Sequence, residues 1–355
     1  MRFLHCSDLH IGSSLNSRLS PGKTRERREE LLLSFRRLID EAKKEGVDGV
    51  IIAGDLLDKE NCEKRTVSSV FSAIRHAENI EFFYLQGNHE RDAVLSAGLD
   101  LTKNLHILSK ESPYFDFKGT RILTLTENGR GEIYAPSSSV RSNILVLHGE
   151  IVRGGDGIYK FDPALLEGAG CEYIALGHYH SHSVINLKGG VSAVYSGTPE
   201  GRGFDECGEK GYVILDIEKG RVDFRFAPRA MRRLYDLKLD LSLIKSNLEL
   251  EAELESTLKT VHDSDLVRLT LTGEYDSALL KDTDALEYYL RDRFYYFELR
   301  DASRLKIDPL EYKDDKSLKG EFIRLVLGDA SLTEGEKSDI IEFGLRALSG
   351  DTLKR

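Results

Sequence analysis

The chain has 355 residues, of which 40% are hydrophobic and 31% charged, with a formal net charge of −10. This balance is typical of a globular protein and excludes fibrous and low-complexity classes. The acidic excess argues against coating nucleic acid by bulk charge, so a polyanion would have to meet a local basic patch or bound metal. No apolar run approaches the roughly 18 residues of a membrane-spanning helix. Because Asp8 also interrupts the start before a signal peptide could form, we expect an intracellular, cytoplasmic protein.

The first half of the chain alternates short β-branched runs with a helical pattern, as a layered α/β domain does. We predict strands at residues 3–7, 49–53, 82–85, 144–147 and 173–176. Apolar residues at helical spacing predict a helix over residues 25–44, and Gly46 stands where that helix would stop. From Phe115 onward, paired strands with glycine turns predict a second sheet that packs on the first.

The chain is longer than one hydrophobic core usually organises, and its pattern changes near Pro228. The predicted elements that follow are a strand within residues 229–241, a helix at 247–261, a strand at 266–272, a helix at 283–292 and a strand at 295–299. We therefore predict an α/β fold with a two-sheet domain, a second, smaller α/β domain and a C-terminal helical hairpin. The corresponding ranges are 1–230, 231–312, for which we expect a capping and DNA-binding role, and 313–355.

The C-terminal stretch contains two amphipathic helical patterns. Thr333 and Glu336 form a capping box for the second helix, and Gly350 marks its end. The apolar stripes are Leu318, Phe322, Leu325 and Val326 on the first helix and Ile341, Leu345 and Leu348 on the second. These faces must be buried, either against the chain's own second domain or against a partner.

Short polar motifs follow five of the predicted strands. Their residues are Asp8 and His10, Asp55, Asn88 and His89, His148, and His178 and His180. Open α/β sheets bind ligands at the carboxyl ends of their strands. Each motif alone is typical of a turn or a helix cap, whereas their combination indicates one shared site.

The donors in these motifs are carboxylate, carboxamide and imidazole groups, and no CxxC pair is present. This set suits two divalent cations of the Mn, Fe or Zn kind rather than a structural zinc. Two cations at close distance need a shared anion, for which we choose Asp55. Alternation along an extended segment places His178 and His180 on the same side, so that each can face one metal. Asn88 would be a neutral ligand, and its neighbour His89 would be the general acid.

The motifs DLH, GDLLD, GNHE, LHGE and GHYH, in this order, resemble those of the calcineurin-like metallophosphoesterase superfamily. Within it, the segments DLHIG, YIALGHYHSHSVI and VYSGTPEGRGFDECGEKGYVILDI are similar to SbcD-type nucleases of DNA double-strand-break repair. The resemblance covers about residues 1 to 230 and is looser beyond them.

The resemblance implies a ligand set, an activity and partners. The first metal would be held by Asp8, His10, Asp55 and His180, and the second by Asp55, Asn88, His148 and His178. It implies two divalent ions, with Mn²⁺ as the leading candidate and Zn²⁺, Fe²⁺ and Mg²⁺ as alternatives. The implied activity is that of a 3′ to 5′ exonuclease and single-strand endonuclease, in which His89 protonates the departing sugar oxygen. The implied partners are DNA and an SbcC-type coiled-coil ATPase that the hairpin would grip, and a homodimer stays open.

Basic residues are concentrated in two places, around Arg25 and at the domain junction. Acids interleave the first group, which therefore suggests a solvated helix face. The junction arginines have few acids near them in sequence, so we expect substrate phosphates to contact Arg229, Arg232 and Arg233. We expect the same of Arg202, which lies in the glycine-rich segment after the last metal motif. Two other functions stay open: a general phosphodiesterase or phosphatase for a small substrate, and a non-catalytic scaffold subunit.

Overall fold

Two units, Met1–Arg233 and Leu234–Arg355, make up the chain. The computed structural model describes residues 1–15, 19–58, 62–87, 102–125, 140–155, 159–276, 279, 281–306 and 314–348. Each unit encloses hydrophobic clusters of its own. Within the described ranges, no helix combines the length and the apolar character needed to cross a membrane.

The first unit is built on two six-stranded sheets. Its first seven strands are β1 Arg2–Cys6, β2 Gly49–Ala53, β3 Glu81–Leu85, β4 Leu105–Leu108, β5 Tyr114–Phe117, β6 Thr120–Leu123 and β7 Ser142–His148. The next seven are β8 Glu150–Ile151, β9 Lys160–Phe161, β10 Tyr173–Gly177, β11 Ser183–Asn186, β12 Ser192–Tyr195, β13 Gly211–Glu218 and β14 Arg221–Pro228. One sheet has the order β14-β13-β1-β2-β3-β4, and the other has the order β11-β12-β10-β7-β6-β5.

Parallel pairing aligns the carboxyl ends of the strands that carry the polar motifs. Strands β1, β2 and β3 are parallel neighbours in the first sheet, and β7 and β10 are parallel neighbours in the second. The inner faces of the two sheets share one apolar cluster that includes Phe3, Ile51, Val146 and Ala175, all fully buried. The predicted mixed α/β fold with two layered sheets is therefore confirmed.

In the described part of the first unit, three helices cover the outer faces of these sheets: α1 Pro21–Lys44, α2 Lys64–Arg75 and α3 Pro163–Glu167. Helix α1 begins four residues before the predicted start, because Ser20 caps it by accepting a hydrogen bond from the Lys23 amide and Pro21 suits its first turn. It ends at Glu45, and Gly46 follows with a φ of +64°. Phe35 and Leu38 of α1 pack with Val70 and Phe71 of α2 against the first sheet. Helix α2 was not among the predicted elements.

The second unit contains five strands and four helices in its described part. The strands are β15 Leu234–Asp240, β16 Leu266–Thr272, β17 Glu274–Tyr275, β18 Tyr296–Asp301 and β19 Arg304–Leu305. The helices are α4 Asn247–Leu258, α5 Thr283–Arg291, α6 Leu318–Gly328 and α7 Glu334–Leu348. A parallel sheet of order β15-β16-β18 carries the core, and β17 pairs with β19. Each helix and strand predicted beyond position 246 occurs within about three residues of its expected bounds.

Helices α6 and α7 pack on each other and on their own unit. Ile323 and Ile341 are fully buried in the cluster between the two helices, and Leu345 also packs against the core of the second unit. The Ser338 hydroxyl donates to the Leu305 carbonyl, and Glu342 lies 3.5 Å from the Lys281 ammonium. The hairpin is thus anchored to the second unit. The capping box at Thr333 and Glu336 is present, whereas Gly350 lies outside the described residues.

The apolar stripe predicted for α6 is partly wrong. Leu318 and Leu325 are 72% and 67% exposed. Of the predicted residues, Val326 is buried and Phe322 packs against the same cluster, together with Ile323, which the prediction did not include. The buried face differs from the predicted one because α7 covers the side of α6 that carries residues 320, 323 and 326, which follow one another at a spacing of three. Leu348 of α7 is also largely exposed.

Replacing Ile323 by Ala should lower the free energy of unfolding of the second unit by about 2 to 4 kcal/mol, because it leaves a cavity between the two helices. Leu325→Ala on the same helix is the matched control and should change it by less than about 0.5 kcal/mol. Urea denaturation measures the free energy of unfolding of both variants. Hydrogen exchange of residues 318–348 shows whether the change is located in the hairpin. Equal effects of the two substitutions would show that the hairpin does not pack in this way.

Candidate metal centre

The backbone takes an unusual conformation at the carboxyl ends of β1, β2 and β10. Seven non-glycine residues in the described part of the chain have a positive φ, and four of them are Asp8, His10, Asp55 and His178. Such conformations cost of order 1–3 kcal/mol each and occur mainly where a site requires them. The chain therefore accepts strain at the residues that the motifs singled out.

Two glycines allow the candidate ligands to approach one another. A side chain at Gly87 would place its Cβ 2.0 Å from Asp55 Oδ1. A Cβ at Gly54, where φ is +91°, would lie 2.0 Å from His148 Nδ1. Only glycine fits at these positions, so the GD and GN dipeptides of the motifs have a steric cause.

The structure brings carboxylates and imidazoles together in two overlapping groups. Asp8, His10 and His180 offer ligand atoms that all lie within 4.8 Å of one another, and Asp8, Asp55 and His148 do the same. Asp8 belongs to both groups. Asp55 also lies between them, because its Oδ2 atom is 3.7 Å from His10 Nε2 and 3.4 Å from His148 Nε2.

The Nδ1 atoms of His148 and His180 each contact an oxygen, and this turns the Nε2 atoms of both rings toward the carboxylates. His148 Nδ1 is 2.9 Å from the Ala53 carbonyl oxygen, and His180 Nδ1 is 2.7 Å from Glu206 Oε1. With the proton on Nδ1 in both rings, each Nε2 carries the lone pair that a metal would take. His180 Nε2 lies 4.0 Å from Asp8 Oδ1.

His178 lies beside the group that contains His148. Its ring centroid is 5.5 Å from that of His148, whereas the ring of His180 is 5.2 Å from that of His10. The backbone N–H of His178 donates to both carboxylate oxygens of Asp8, at 3.1 and 3.0 Å. This contact joins the end of β10 in the second sheet to the end of β1 in the first. The predicted residues Asn88 and His89 lie outside the described part of the chain.

The electrostatics of these groups favour bound positive charge. Burial raises the pKa of the Asp8 carboxyl above its usual range, even though histidines and hydrogen bonds act against it. Burial opposes the charge on His148, but the neighbouring Asp55 and Asp8 outweigh it and raise its pKa to about 9. Both raised pKa values mean that this place favours a bound proton and hence positive charge, and its donor set also suits divalent cations. The residues present therefore fit a pair of such ions.

Sequence reasoning missed two acids that adjoin the candidate ligands. Glu206 is hydrogen-bonded to His180, and Glu150 Oε1 lies 3.6 Å from His178 Nε2. Burial would raise the pKa of Glu206, but hydrogen bonds from His180 and Arg202 outweigh it and lower the pKa to about 2. The only sequence signals are that Glu150 follows His148-Gly149 and that Glu206 stands four residues after Arg202.

The four arginines proposed to contact substrate all lie beside acids. Arg202 donates to Glu206, Arg229 lies 3.7 Å from Glu41, Arg232 lies 2.7 Å from Glu30, and Arg233 lies 3.1 Å from Glu209. The reasoning that few acids surround the junction group was therefore wrong. Its partners Glu30 and Glu41 come from α1, roughly 190 residues earlier, and such a pairing cannot be read from local sequence.

The first basic group consists of Arg18, Lys23, Arg25, Arg27 and Arg28, and its interpretation as a solvated face was wrong for Arg27, whereas Arg28 is exposed. Arg27 is 1% exposed, forms an ion pair with Glu30, and donates to the Gly201 carbonyl at 2.7 Å. Arg28 donates to the carbonyl oxygens of Ser13 and Ser14. These arginines hold α1 to the loops around the site.

Replacing His148 or His180 by Ala should remove at least one bound divalent cation, because each substitution deletes an Nε2 donor that faces a carboxylate. His182→Ala is the control, since that ring stacks on Phe226 and its Nδ1 lies 2.9 Å from the Tyr195 carbonyl oxygen. Metal analysis by mass spectrometry should show about half the content or less in the first two variants and no change in the control. A loss of metal from His182→Ala would contradict the assignment.

Comparison with known proteins agrees with this geometry. Residues 1–189 match the family described as calcineurin-like phosphoesterase. The chain is 28% identical over 305 residues to the uncharacterized metallophosphoesterase YhaO of Bacillus subtilis, an alignment of 79% of this chain and 74% of that protein. It is 24% identical over 372 residues to the DNA double-strand break repair protein Mre11 of Saccharolobus solfataricus, covering 96% and 94%. It is 25% identical over 311 residues to a subunit of the nuclease SbcCD of Escherichia coli, covering 70% and 74%. Because the family match takes in more than half of the 355 residues, the chain belongs to the calcineurin-like phosphoesterase family.

Proposed function

We propose that this protein is a DNA nuclease that uses two divalent cations to hydrolyse phosphodiesters, and Mn²⁺ is the leading candidate for these cations. The observation that carries the proposal is the convergence of Asp8, His10, Asp55, His148 and His180 in two overlapping groups. Such a donor set at the rim of two sheets is suited to metal-assisted hydrolysis.

The proposed ligands divide into two sets that share Asp55. Asp8, His10, Asp55 and His180 would hold the first cation, and Asp55, Asn88, His148 and His178 would hold the second. The bound cations would supply Lewis-acid stabilisation of charge on the phosphoryl oxygens and would favour ionised water at neutral pH. The Nδ1 atoms of His148 and His180 contact the Ala53 carbonyl and Glu206, and this directs each Nε2 atom toward the carboxylates that would share the cations.

His89 is the proposed general acid. It would donate a proton to the sugar oxygen that leaves when the phosphodiester is cleaved. Its support is its position directly after Asn88 in the motif GNHE, between ligands contributed by neighbouring strands.

The choice of DNA as substrate is supported by two relatives, which are named as a DNA break repair protein and as part of a nuclease. The first of them aligns with 96% of the chain, which includes the second unit. That unit exposes Tyr288 and Tyr289 on α5, at 72% and 68%, close in sequence to Arg291 and Arg293. Exposed aromatic rings suit stacking on unpaired bases, so we assign DNA contact to this unit.

An ATPase of the SbcC type is the proposed protein partner, and the hairpin of α6 and α7 is its proposed contact. The supporting observation is that the hairpin exposes Leu318, Leu325 and Phe343 while its other face is packed on its own unit. An amphipathic hairpin with apolar residues on its outer side suits helix-in-groove recognition. Repair of double-strand breaks is the proposed setting.

Incubation of the purified chain with Mn²⁺ should degrade end-labelled DNA from its 3′ ends and cut single strands. The variant His148→Ala is the matched control and should lose this activity together with its metal. Bis(p-nitrophenyl) phosphate serves as the small diester. If the chain hydrolyses this small diester but leaves the DNA uncut, the nuclease assignment is wrong.

That outcome would favour a general phosphoesterase for a small substrate. The net charge of −10 and the pairing of Arg229, Arg232 and Arg233 with acids favour this alternative, because they reduce the attraction for a polyanion. The similarity to the uncharacterized metallophosphoesterase YhaO favours neither function over the other.

His89→Gln should retain both cations and lose about 10²- to 10⁴-fold in turnover, because proton transfer is lost while the ligand set is unchanged. Metal content and single-turnover rates on the same preparation measure the two effects separately. A loss of metal equal to that in His148→Ala would show that His89 is a ligand rather than the acid.

A further inference from the structure

The segment that follows β12 holds His180 from two directions. Glu206 Oε1 accepts a hydrogen bond from His180 Nδ1 at 2.7 Å. The Lys210 ammonium, buried at 2% exposure, donates to the His180 carbonyl oxygen at 2.7 Å, and the Thr198 amide donates to the same oxygen at 3.3 Å. Both the ring and the backbone of this candidate ligand are therefore held by residues 198–210.

Glu206 is itself held in place. Its side chain is 5% exposed, and Arg202 donates to it through the backbone N–H at 2.8 Å and through Nη2 at 2.6 Å. A buried carboxylate with this many donors cannot rotate away from His180 without losing them. The direction of the His180 ring is thus set by a rigid acid rather than by a mobile one.

The two histidines whose Nε2 atoms face the carboxylates differ in what lies behind them. His180 Nδ1 is bonded to the ionised Glu206, whereas His148 Nδ1 is bonded to the neutral carbonyl of Ala53. An anionic acceptor behind an imidazole increases the electron density on the opposite nitrogen and fixes its tautomer. The structure therefore makes the two candidate cation positions unequal.

We propose that Glu206 is a positioning residue that selectively strengthens the cation position formed with His180. The inference rests on the proposed function, because it assumes that this centre binds two divalent cations. Removal of such an outer carboxylate typically lowers metal affinity by about 10- to 100-fold. In the other position, His148 is backed by the neutral Ala53 carbonyl and His178 lies beside a different acid, Glu150, so the loss of Glu206 should not change it.

Titration of the EDTA-treated full-length chain with Mn²⁺, read by calorimetry and by electron paramagnetic resonance of free Mn²⁺, tests the proposal. Wild type should bind two ions, one more tightly than the other. Glu206→Ala should raise the Kd of the tighter position by about 10- to 100-fold and leave the other unchanged. Glu206→Gln keeps an oxygen acceptor for Nδ1 without the charge, so it should show a smaller increase than Glu206→Ala.

The chain offers a matched control. Glu81 Oε2 lies 2.7 Å from His106 Nε2 at the pairing of β3 with β4, which is the same type of contact at a histidine that belongs to neither cation group. Glu81→Ala should leave both Mn²⁺ constants unchanged. Unchanged constants in Glu206→Ala, or an equal loss at both positions, would overturn the role of Glu206. A wild-type chain that binds no Mn²⁺ would instead overturn the proposed function, and the inference with it.

Discussion

The burial of two carboxylates at one edge of the first sheet is the constraint on which the rest of the site depends. Asp8 is fully buried and Asp55 is 2% exposed, and they follow the parallel neighbours β1 and β2. Buried negative charge is costly unless donors or cations compensate it. The compensation comes from the second sheet, which contributes the His178 backbone N–H and the rings of His148 and His180. The two sheets must therefore be layered for the site to exist.

A second set of buried charges holds the surroundings of the site. Arg27 of α1 lies 3.5 Å from Glu200 and donates to the Gly201 carbonyl, while Glu200 accepts the backbone N–H groups of Met231 and Arg232. Burial raises the pKa of Glu200, although Arg27 and these N–H groups act against it. Removing one partner of such a buried ion pair typically lowers the free energy of unfolding by about 3–5 kcal/mol, because an uncompensated charge is left behind. This network fixes the start of the loop whose later residues, Glu206 and Lys210, hold His180.

Under the proposed function, phosphoester chemistry and the choice of substrate would depend on different parts of the molecule. The chemistry would depend on ligand atoms of the first unit, whose match to the phosphoesterase family covers residues 1–189. Substrate choice would depend on surfaces outside that range, where the junction arginines are paired with acids and the second unit exposes Tyr288 and Tyr289. A DNA substrate would thus be recognised by contacts of the second unit more than by excess positive charge.

The sequence by itself indicated strands β1, β2, β3, β7 and β10, the α/β class and the candidate ligands, because hydrophobic periodicity and strand-end motifs are local signals. It did not predict β4, and it assigned β13 and β14 to the second sheet rather than to the first. It also predicted the paired helices at the C-terminus, although it assigned Leu318 and Leu325 to the buried face. Only the tertiary structure decided that Arg232 is paired with Glu30, that Ile323 rather than Leu325 is covered, and that Glu206 holds His180. These contacts join residues that are distant in the chain or depend on which helix face a neighbour covers. Their formation is a property of packing, which local composition does not encode.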